Sequence, residues 1–303
     1  MTFNLIVILG PTASGKTKLA ARLARDRGSE IISADSRQVY RGMDIGTGKD
    51  FGEYVVDGLA VPCHLIDVVD PDHEFSVFDY QVNFSRVFSD ISSRGVVPIM
   101  VGGTGLYIEA AIKGYLLLEV PENESLRHEL EKEGIAELRN RLIELKPAIH
   151  NTTDLLDRKR LVRAIEIMEF TRVHDNQESH SPSIAALVVG LRCERSVLRQ
   201  RITERLNARL KAGMIEEVER LYQSGIGWDK LDFFGLEYRY IGRYLRGVMC
   251  YSEMFQMLNT RIHQFAKKQE TWFRRMEKKG ITIHWINGDD YGRAKEIING
   301  LMK

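Results

Sequence analysis

Short apolar runs alternate with amphipathic stretches through the first hundred residues. Phe3 to Leu9, Glu30 to Ala34, His64 to Val68 and Val96 to Val101 are short and rich in Val and Ile, the pattern of strands buried on both faces. Between them, Thr17 to Asp26 and Ser76 to Ser93 carry helical patterning. Strand, helix and strand in succession predict βαβ units, and so a parallel sheet covered by helices on both faces.

The texture changes at Pro121. Glu122 to about Arg172 is charged and helical with a break at Pro147, and the polar stretch His174 to Ser183 reads as a linker. Ile184 to Leu191 is apolar and β-branched again, which predicts a strand returning to the first sheet. Long helices dominate from Glu194 to Lys279, before a last strand at Ile281 to Ile286 and a C-terminal helix. The expected organisation is an α/β core built from residues 1–119 and 184–303, interrupted by a helical insertion over 120–183.

Composition changes this picture in one respect. With 303 residues, 44% hydrophobic and 28% charged, the chain has a soluble globular profile, and disorder and collagen-like repeats are excluded. The net charge of +1 conceals a division: residues 1–150 hold 16 Lys/Arg against 22 Asp/Glu, while residues 151–303 hold 27 against 20. An acidic front joined to a basic back points to two partners, or to one partner held across two surfaces. Cys63, Cys193 and Cys250 form no CxxC pair, which suggests a reducing, cytoplasmic setting. Neither a signal peptide nor a membrane span is expected, since the apolar run Leu5 to Leu9 meets Gly10 at once. The eight histidines show no metal-ligand spacing, so no structural metal is expected.

Candidate chemistry begins where the first strand ends. Gly10-Pro11-Thr12-Ala13-Ser14-Gly15-Lys16-Thr17 matches GxxxxGK[ST] between a strand and a helix, the context its mechanism requires. Glycines let backbone N–H groups turn toward an anion and the helix N-terminus adds partial positive charge. Lys16 supplies a point charge, and Thr17 a hydroxyl ligand for Mg²⁺. The fold class is thus a P-loop NTPase-like α/β sheet core. A second glycine turn, Gly102-Gly103-Thr104-Gly105, and Asp35 lie at the carboxyl ends of strands, the edge where ligands bind in such sheets. Taken singly, Asp35 and Thr104 read equally well as turn or cap residues. A P-loop kinase fits these features; a GTPase fits less well because the guanine-reading NKxD tetrapeptide is absent.

The basic residues fall into three runs. Lys159, Arg160, Arg163 and Arg172 form the first, and Arg192, Arg195, Arg199, Arg201, Arg205, Arg209 and Lys211 the second. In the third, Leu258, Ile262, Phe265, Gln269, Trp272 and Met276 recur at helical spacing and leave Lys267, Lys268, Arg274 and Arg275 largely on other faces. One such run is usually a solvated face; three in one half point to phosphates of a nucleic acid.

Together these segments resemble the tRNA dimethylallyltransferases. The resemblance rests on GPTASGKT (Gly10 to Thr17), Asp35-Ser36 followed by Gln38-Val39-Tyr40, Met43-Asp44-Ile45-Gly46-Thr47, VGGTGLY (Val101 to Tyr107) and QETWFR (Gln269 to Arg274), in register over nearly the whole chain. It implies transfer of a dimethylallyl group from dimethylallyl diphosphate to N6 of the adenosine beside the anticodon. Adenylate isopentenyltransferases, which prenylate free nucleotides, share the P-loop; the basic helices resemble the tRNA-acting branch. By motif position Asp35 would be the general base, Thr104 would contact the reacting centre, and Arg205 would join Gly10, Pro11, Thr12, Ala13, Ser14, Gly15, Lys16, Thr17 and Mg²⁺ in holding the diphosphate. The tRNA contacts implied are Asp35, Ser36, Arg37, Gln38, Thr104, Arg127, Lys159, Arg160, Arg163, Tyr238, Arg239, Lys267, Lys268, Gln269, Thr271, Trp272 and Arg274. The insertion would close around the anticodon arm, and the enzyme would act as a monomer, away from any membrane. Three stretches depart from the family pattern: Gly46-Thr47-Gly48-Lys49-Asp50 replaces the commoner GTAKP, Glu237 stands where glycine is usual, and the linker after Arg172 is shorter than usual.

Overall fold

The computed structural model describes residues 3–115, 120–145, 155–173 and 182–302. Eight strands occur among them: β1 (Leu5–Leu9), β2 (Ile31–Ala34), β3 (Val55–Val56), β4 (Leu59–Ala60), β5 (Cys63–His64), β6 (Ile99–Gly102), β7 (Ala186–Arg192) and β8 (Ile283–Asn287). Six form one parallel sheet in the order β5-β2-β6-β1-β7-β8. β1 lies inside it, with Leu9 level with Gly102 of β6 and Gly190 of β7. The core is built from both ends of the chain, because β7 and β8 complete the sheet that β1 begins.

Twelve α-helices and one short 3-10 helix, Phe51–Tyr54, accompany the strands among the described residues. The first three, α1 (Lys16–Arg27), α2 (Val77–Ser93) and α3 (Gly105–Lys113), belong to the front of the chain, and α4 (Glu124–Leu130), α5 (Ile135–Leu145) and α6 (Arg158–Val173) to the insertion. Then come α7 (Arg195–Lys211), α8 (Met214–Gln223), α9 (Trp228–Phe234), α10 (Leu236–Leu245), α11 (Tyr251–Lys278) and α12 (Tyr291–Leu301). Alternation along β1 sorts the core. Leu5, Val7 and Leu9 pack with Phe84, Tyr107 and Phe273 on one face of the sheet, while Ile6 and Ile8 pack with Leu19, Leu23, Ala294 and Ile298 on the other. A third cluster joins α7, α8, α10 and α11 through Leu206, Met214, Val218, Ile241 and Leu258.

Contacts divide the chain into Met1–Tyr115 with Pro182–Lys303, and Leu116–Ser181. In the second unit Leu130, Leu138, Leu142, Leu161 and Ile165 make a small core from α4, α5 and α6. Glu166 is buried there and accepts from Arg127 (2.7 and 2.9 Å), Arg163 (3.0 Å) and the Asn123 N–H (3.0 Å). The break expected at Pro147 and most of the His174–Ser183 linker lie outside the described residues.

Two local features differ from expectation. The strand expected over His64 to Val68 stops at His64, because Leu65 and Asp67 take positive φ (63° and 55°), which ends an extended run. Beyond them Asp67 and Val68 donate to Gln38 and Val39 carbonyls, tying this segment to the loop after β2. The β3–β4 hairpin was not anticipated, although Asp57-Gly58, both at positive φ, is a recognised signal for such a turn.

Candidate active site

The phosphate loop follows directly from the end of β1. Gly10 sits where a Cβ would lie 2.7 Å from Ser14 Oγ and 3.2 Å from Leu191 Cβ, and Gly15 adopts φ 87° to turn the chain into α1. Lys16 Nζ lies 3.5 Å from the Pro11 carbonyl, folded back over the loop. Ser14 Oγ is buried with no hydrogen-bond partner among the described residues, an orphan that an anion in the loop would satisfy. Arg205 of α7 donates to the Thr12 hydroxyl, which brings a guanidinium from the far half of the chain onto the loop.

The second edge of the cleft joins β2 to β6. Asp35 Oδ1 accepts the Arg37 N–H at 2.9 Å, an Asx turn that holds the carboxyl just beyond the strand. Thr104 occupies the N-cap position of α3 but makes no cap bond; its Oγ1 accepts the Ser36 N–H at 3.0 Å instead. The two strand ends approach so closely that a Cβ on Gly102 would fall 2.2 Å from the Ala34 carbonyl oxygen. Gln269 of α11 then ties this edge to the phosphate loop. Its Oε1 accepts the Thr12 N–H at 2.8 Å and its Nε2 donates to the Gly103 carbonyl at 2.9 Å.

Positive charge is crowded in this cleft. Burial, reinforced by Arg205, lowers the Lys16 pKa to about 8. Burial and the nearby Arg209 lower Arg205 to about 10. Burial raises Glu53 and Glu237. Cations whose charge is held unfavourably are the setting in which an incoming polyanion binds best.

Comparison with known proteins places the chain as a whole. Residues 38–276 match the IPP transferase family model, and residues 3–58 the isopentenyl transferase model. The chain is 59% identical to tRNA dimethylallyltransferase 1 of Syntrophus aciditrophicus, over 100% of both chains. The chain belongs to the tRNA dimethylallyltransferase family. It is also 57% identical to tRNA dimethylallyltransferase 1 of Geotalea uraniireducens, over 98% of each chain. Among solved structures, the tRNA isopentenylpyrophosphate transferase of Bacillus halodurans superposes with a TM-score of 0.71 at 34% identity, covering 99% of this chain and 96% of the other.

Against the residues that a tRNA dimethylallyltransferase pattern marks, the structure separates exposed groups from buried ones. Lys159, Arg160, Lys267, Lys268, Thr271 and Arg274 are exposed. Lys267 and Arg274 line a groove of about 460 Å³ between α7 and α11 together with Arg195 and Arg199. None of these four cations has an ion pair among the described residues. Gln38 Nε2 is engaged by the Gly48 carbonyl (2.9 Å), and Arg239 donates to the Asp232 carbonyl. Arg37 stacks over Phe233.

Three residues expected to contact RNA are wholly or partly buried in the protein. Tyr238 is 1% exposed, its hydroxyl donates to Glu217 at 2.8 Å and its ring packs against Gly46. Gln269 is 8% exposed, its amide occupied by the two loops just described. Trp272 is partly buried, its ring packed against Gly105 and under Arg275. Two more, Arg127 and Arg163, have guanidinium groups already paired with Glu166.

Other residues carry weight without any motif. Glu217 accepts the N–H groups of Asp44, Ile45 and Gly46 at 2.9, 2.7 and 2.9 Å, clamping the loop after β2 onto α8. Lys49, 4% exposed, donates to Tyr40 O, Asp44 and Asp67, so the lysine of Gly-Thr-Gly-Lys-Asp is an internal strut. The Glu53 carboxyl lies near the Thr17 side chain.

Proposed function

We propose that this cleft transfers a dimethylallyl group from dimethylallyl diphosphate to N6 of the adenosine beside the anticodon of tRNA. The observation that carries the reading is convergence: the phosphate loop with Arg205 on one side, and on the other Asp35, whose neighbour Ser36 is bonded to Thr104, the two sides linked by Gln269. The exocyclic amine is a poor nucleophile, so the reaction needs a good leaving group and a base. The N6–C1 bond forms as the C1–O bond breaks, diphosphate departs with the electron pair, and Asp35 takes the N6 proton. Loop N–H groups, Lys16 and Arg205 meet the negative charge as it develops on the leaving oxygens.

Mg²⁺ fits the donors present. Thr17 Oγ1 and the Glu53 carboxyl beside it are hard oxygen ligands, and no cluster of three or more His, Cys, Asp or Glu ligands occurs among the described residues. Such a site relies on phosphate oxygens for its remaining ligands, as Mg²⁺ sites commonly do. When bound, the ion adds charge stabilisation to the leaving diphosphate.

The P-loop thus acts as a diphosphate clamp and no ATP hydrolysis is required. The target base leaves its stack to reach the cleft. A monomer in the cytoplasm completes the reading; the unpaired Cys63, Cys193 and Cys250 suit a reducing compartment. Among the described residues no helix is long and apolar enough to cross a membrane. The test is incubation with unmodified tRNA and dimethylallyl diphosphate, then mass spectrometry of the digested nucleosides. Isopentenyladenosine is expected; its absence with a competent tRNA set overturns the reading.

A further inference from the structure

The departures from the family pattern at Gly48, Asp50 and Glu237 converge on a residue that no motif marks, Arg209. It lies four residues after Arg205 on α7, so both guanidinium groups leave the same face of the helix one turn apart. Arg205 reaches the phosphate loop at Thr12. Arg209 reaches the loop after β2 and lies against Gly48, where a Cβ would fall 1.9 Å from Nη2 and 2.6 Å from Cζ. Only a residue without a side chain leaves that space open, and Gly48 stands where alanine is commoner. Asp50, in place of the commoner proline, then holds the guanidinium, with Nη2 to Oδ2 at 3.0 Å.

This pairing leaves part of the guanidinium unused. The Arg209 side chain is 12% exposed, yet its Nε is buried with no hydrogen-bond partner among the described residues. A buried N–H without an acceptor costs stability unless a ligand supplies one. Arg209 also acts electrostatically on Lys16, Arg205 and Glu237, which places it within the cationic cluster of the cleft. A strap serving only to fasten the loop would require neither the orphan donor nor this proximity. Glu237, the third departure, adds a carboxyl beside the cluster, and burial raises its pKa.

We propose that Arg209 is a second diphosphate-binding arginine of this enzyme, admitted by Gly48 and oriented by Asp50. The inference rests on the reading of the cleft as the dimethylallyl diphosphate site. Its chemistry is that of a guanidinium meeting phosphate oxygens, with Nε available as the donor.

Isothermal titration with inorganic pyrophosphate tests it on the wild type, Arg209→Ala, Arg209→Lys and Gly48→Ala. Arg209→Ala is expected to weaken pyrophosphate binding about tenfold and to raise the KM for dimethylallyl diphosphate similarly, with tRNA affinity within twofold of wild type. Gly48→Ala displaces the guanidinium and should reproduce this loss with Arg209 still present, while Arg209→Lys restores part of it. Pyrophosphate affinity unchanged in Arg209→Ala overturns the proposal. So does an equal loss of pyrophosphate and tRNA affinity accompanied by a lowered melting temperature, since that marks a structural strap. A wild type that binds pyrophosphate but never prenylates tRNA overturns the functional reading and leaves the arginine assignment standing.

Discussion

Asp35 uses only half of its carboxyl to hold its own turn. Oδ1 takes the Arg37 N–H, and Oδ2 has no donor among the described residues, which leaves an oxygen free to receive a proton. Asp35→Asn keeps the turn and removes the base, so turnover should fall by about 10²–10⁴-fold. Single-turnover kinetics beside filter binding checks this: tRNA affinity should remain within twofold, and an unchanged rate removes Asp35 from the role. Lys16 makes a pH prediction. Its pKa of about 8 in the free protein rises when an anion binds, so binding takes up a proton above pH 8 and none below. Affinity for dimethylallyl diphosphate should therefore be flat below pH 8 and weaken by up to about tenfold per unit above it, until the bound-state pKa is reached. Titration calorimetry in buffers of different ionisation enthalpy measures the proton uptake. Lys16→Met should abolish the component due to this residue, which separates it from titration of Arg205 and of the ligand.

At the scale of elements, distant side chains hold the loops around the cleft. Glu217 on α8 accepts three backbone N–H groups from Asp44 to Gly46 as well as the Tyr238 hydroxyl. Glu217→Ala leaves these donors without their acceptor and should cost about 3 kcal/mol in a denaturant titration. Gln269→Ala removes the tie between the P-loop and the Gly103 turn. The expected result is a KM for dimethylallyl diphosphate raised about tenfold, from the loss of roughly one hydrogen bond's worth of ordering, with tRNA affinity unchanged. A loss confined to tRNA affinity would instead restore Gln269 to the RNA surface. These residues also show what could be read in the sequence. The phosphate loop and Asp35 were legible because each sits next to a strand end in the chain, and strand periodicity reveals those ends. Gln269 meets Thr12 across 257 positions, Glu217 meets Ile45 across 172, and Arg209 meets Asp50 across 159. No local pattern records such pairs, and for Gln269 the resemblance suggested an RNA contact where the amide is in fact enclosed. Thr104 shows the same limit, since its hydroxyl takes the Ser36 N–H rather than capping α3.

Across the whole molecule, net charge misleads where its distribution informs. The basic half contributes Arg205 and Arg209 to the phosphate-loop cleft and, in the α7–α11 groove that Glu270 also lines, four cations without an ion pair among the described residues. That groove suits phosphates of an RNA backbone. Replacing Arg195 and Arg199 together by alanine should reduce the salt-dependence slope of tRNA binding by about 0.7–0.9 for each phosphate that the pair no longer neutralises. Fluorescence anisotropy from low to moderate salt measures the slope, and an unchanged value removes the groove from the RNA footprint. The sheet itself sets an order of events during synthesis. β1 is made well before its neighbour β7, which begins at Ala186, and β7 gains its own neighbour only at Ile283. The phosphate loop at the tip of β1 also receives Arg205 and Gln269 from this late part of the chain. A chain halted before residue 269 therefore carries the whole Gly10–Thr17 motif without the side chain that fastens it to the Gly103 turn, so the loop's sequence is complete long before its supports are.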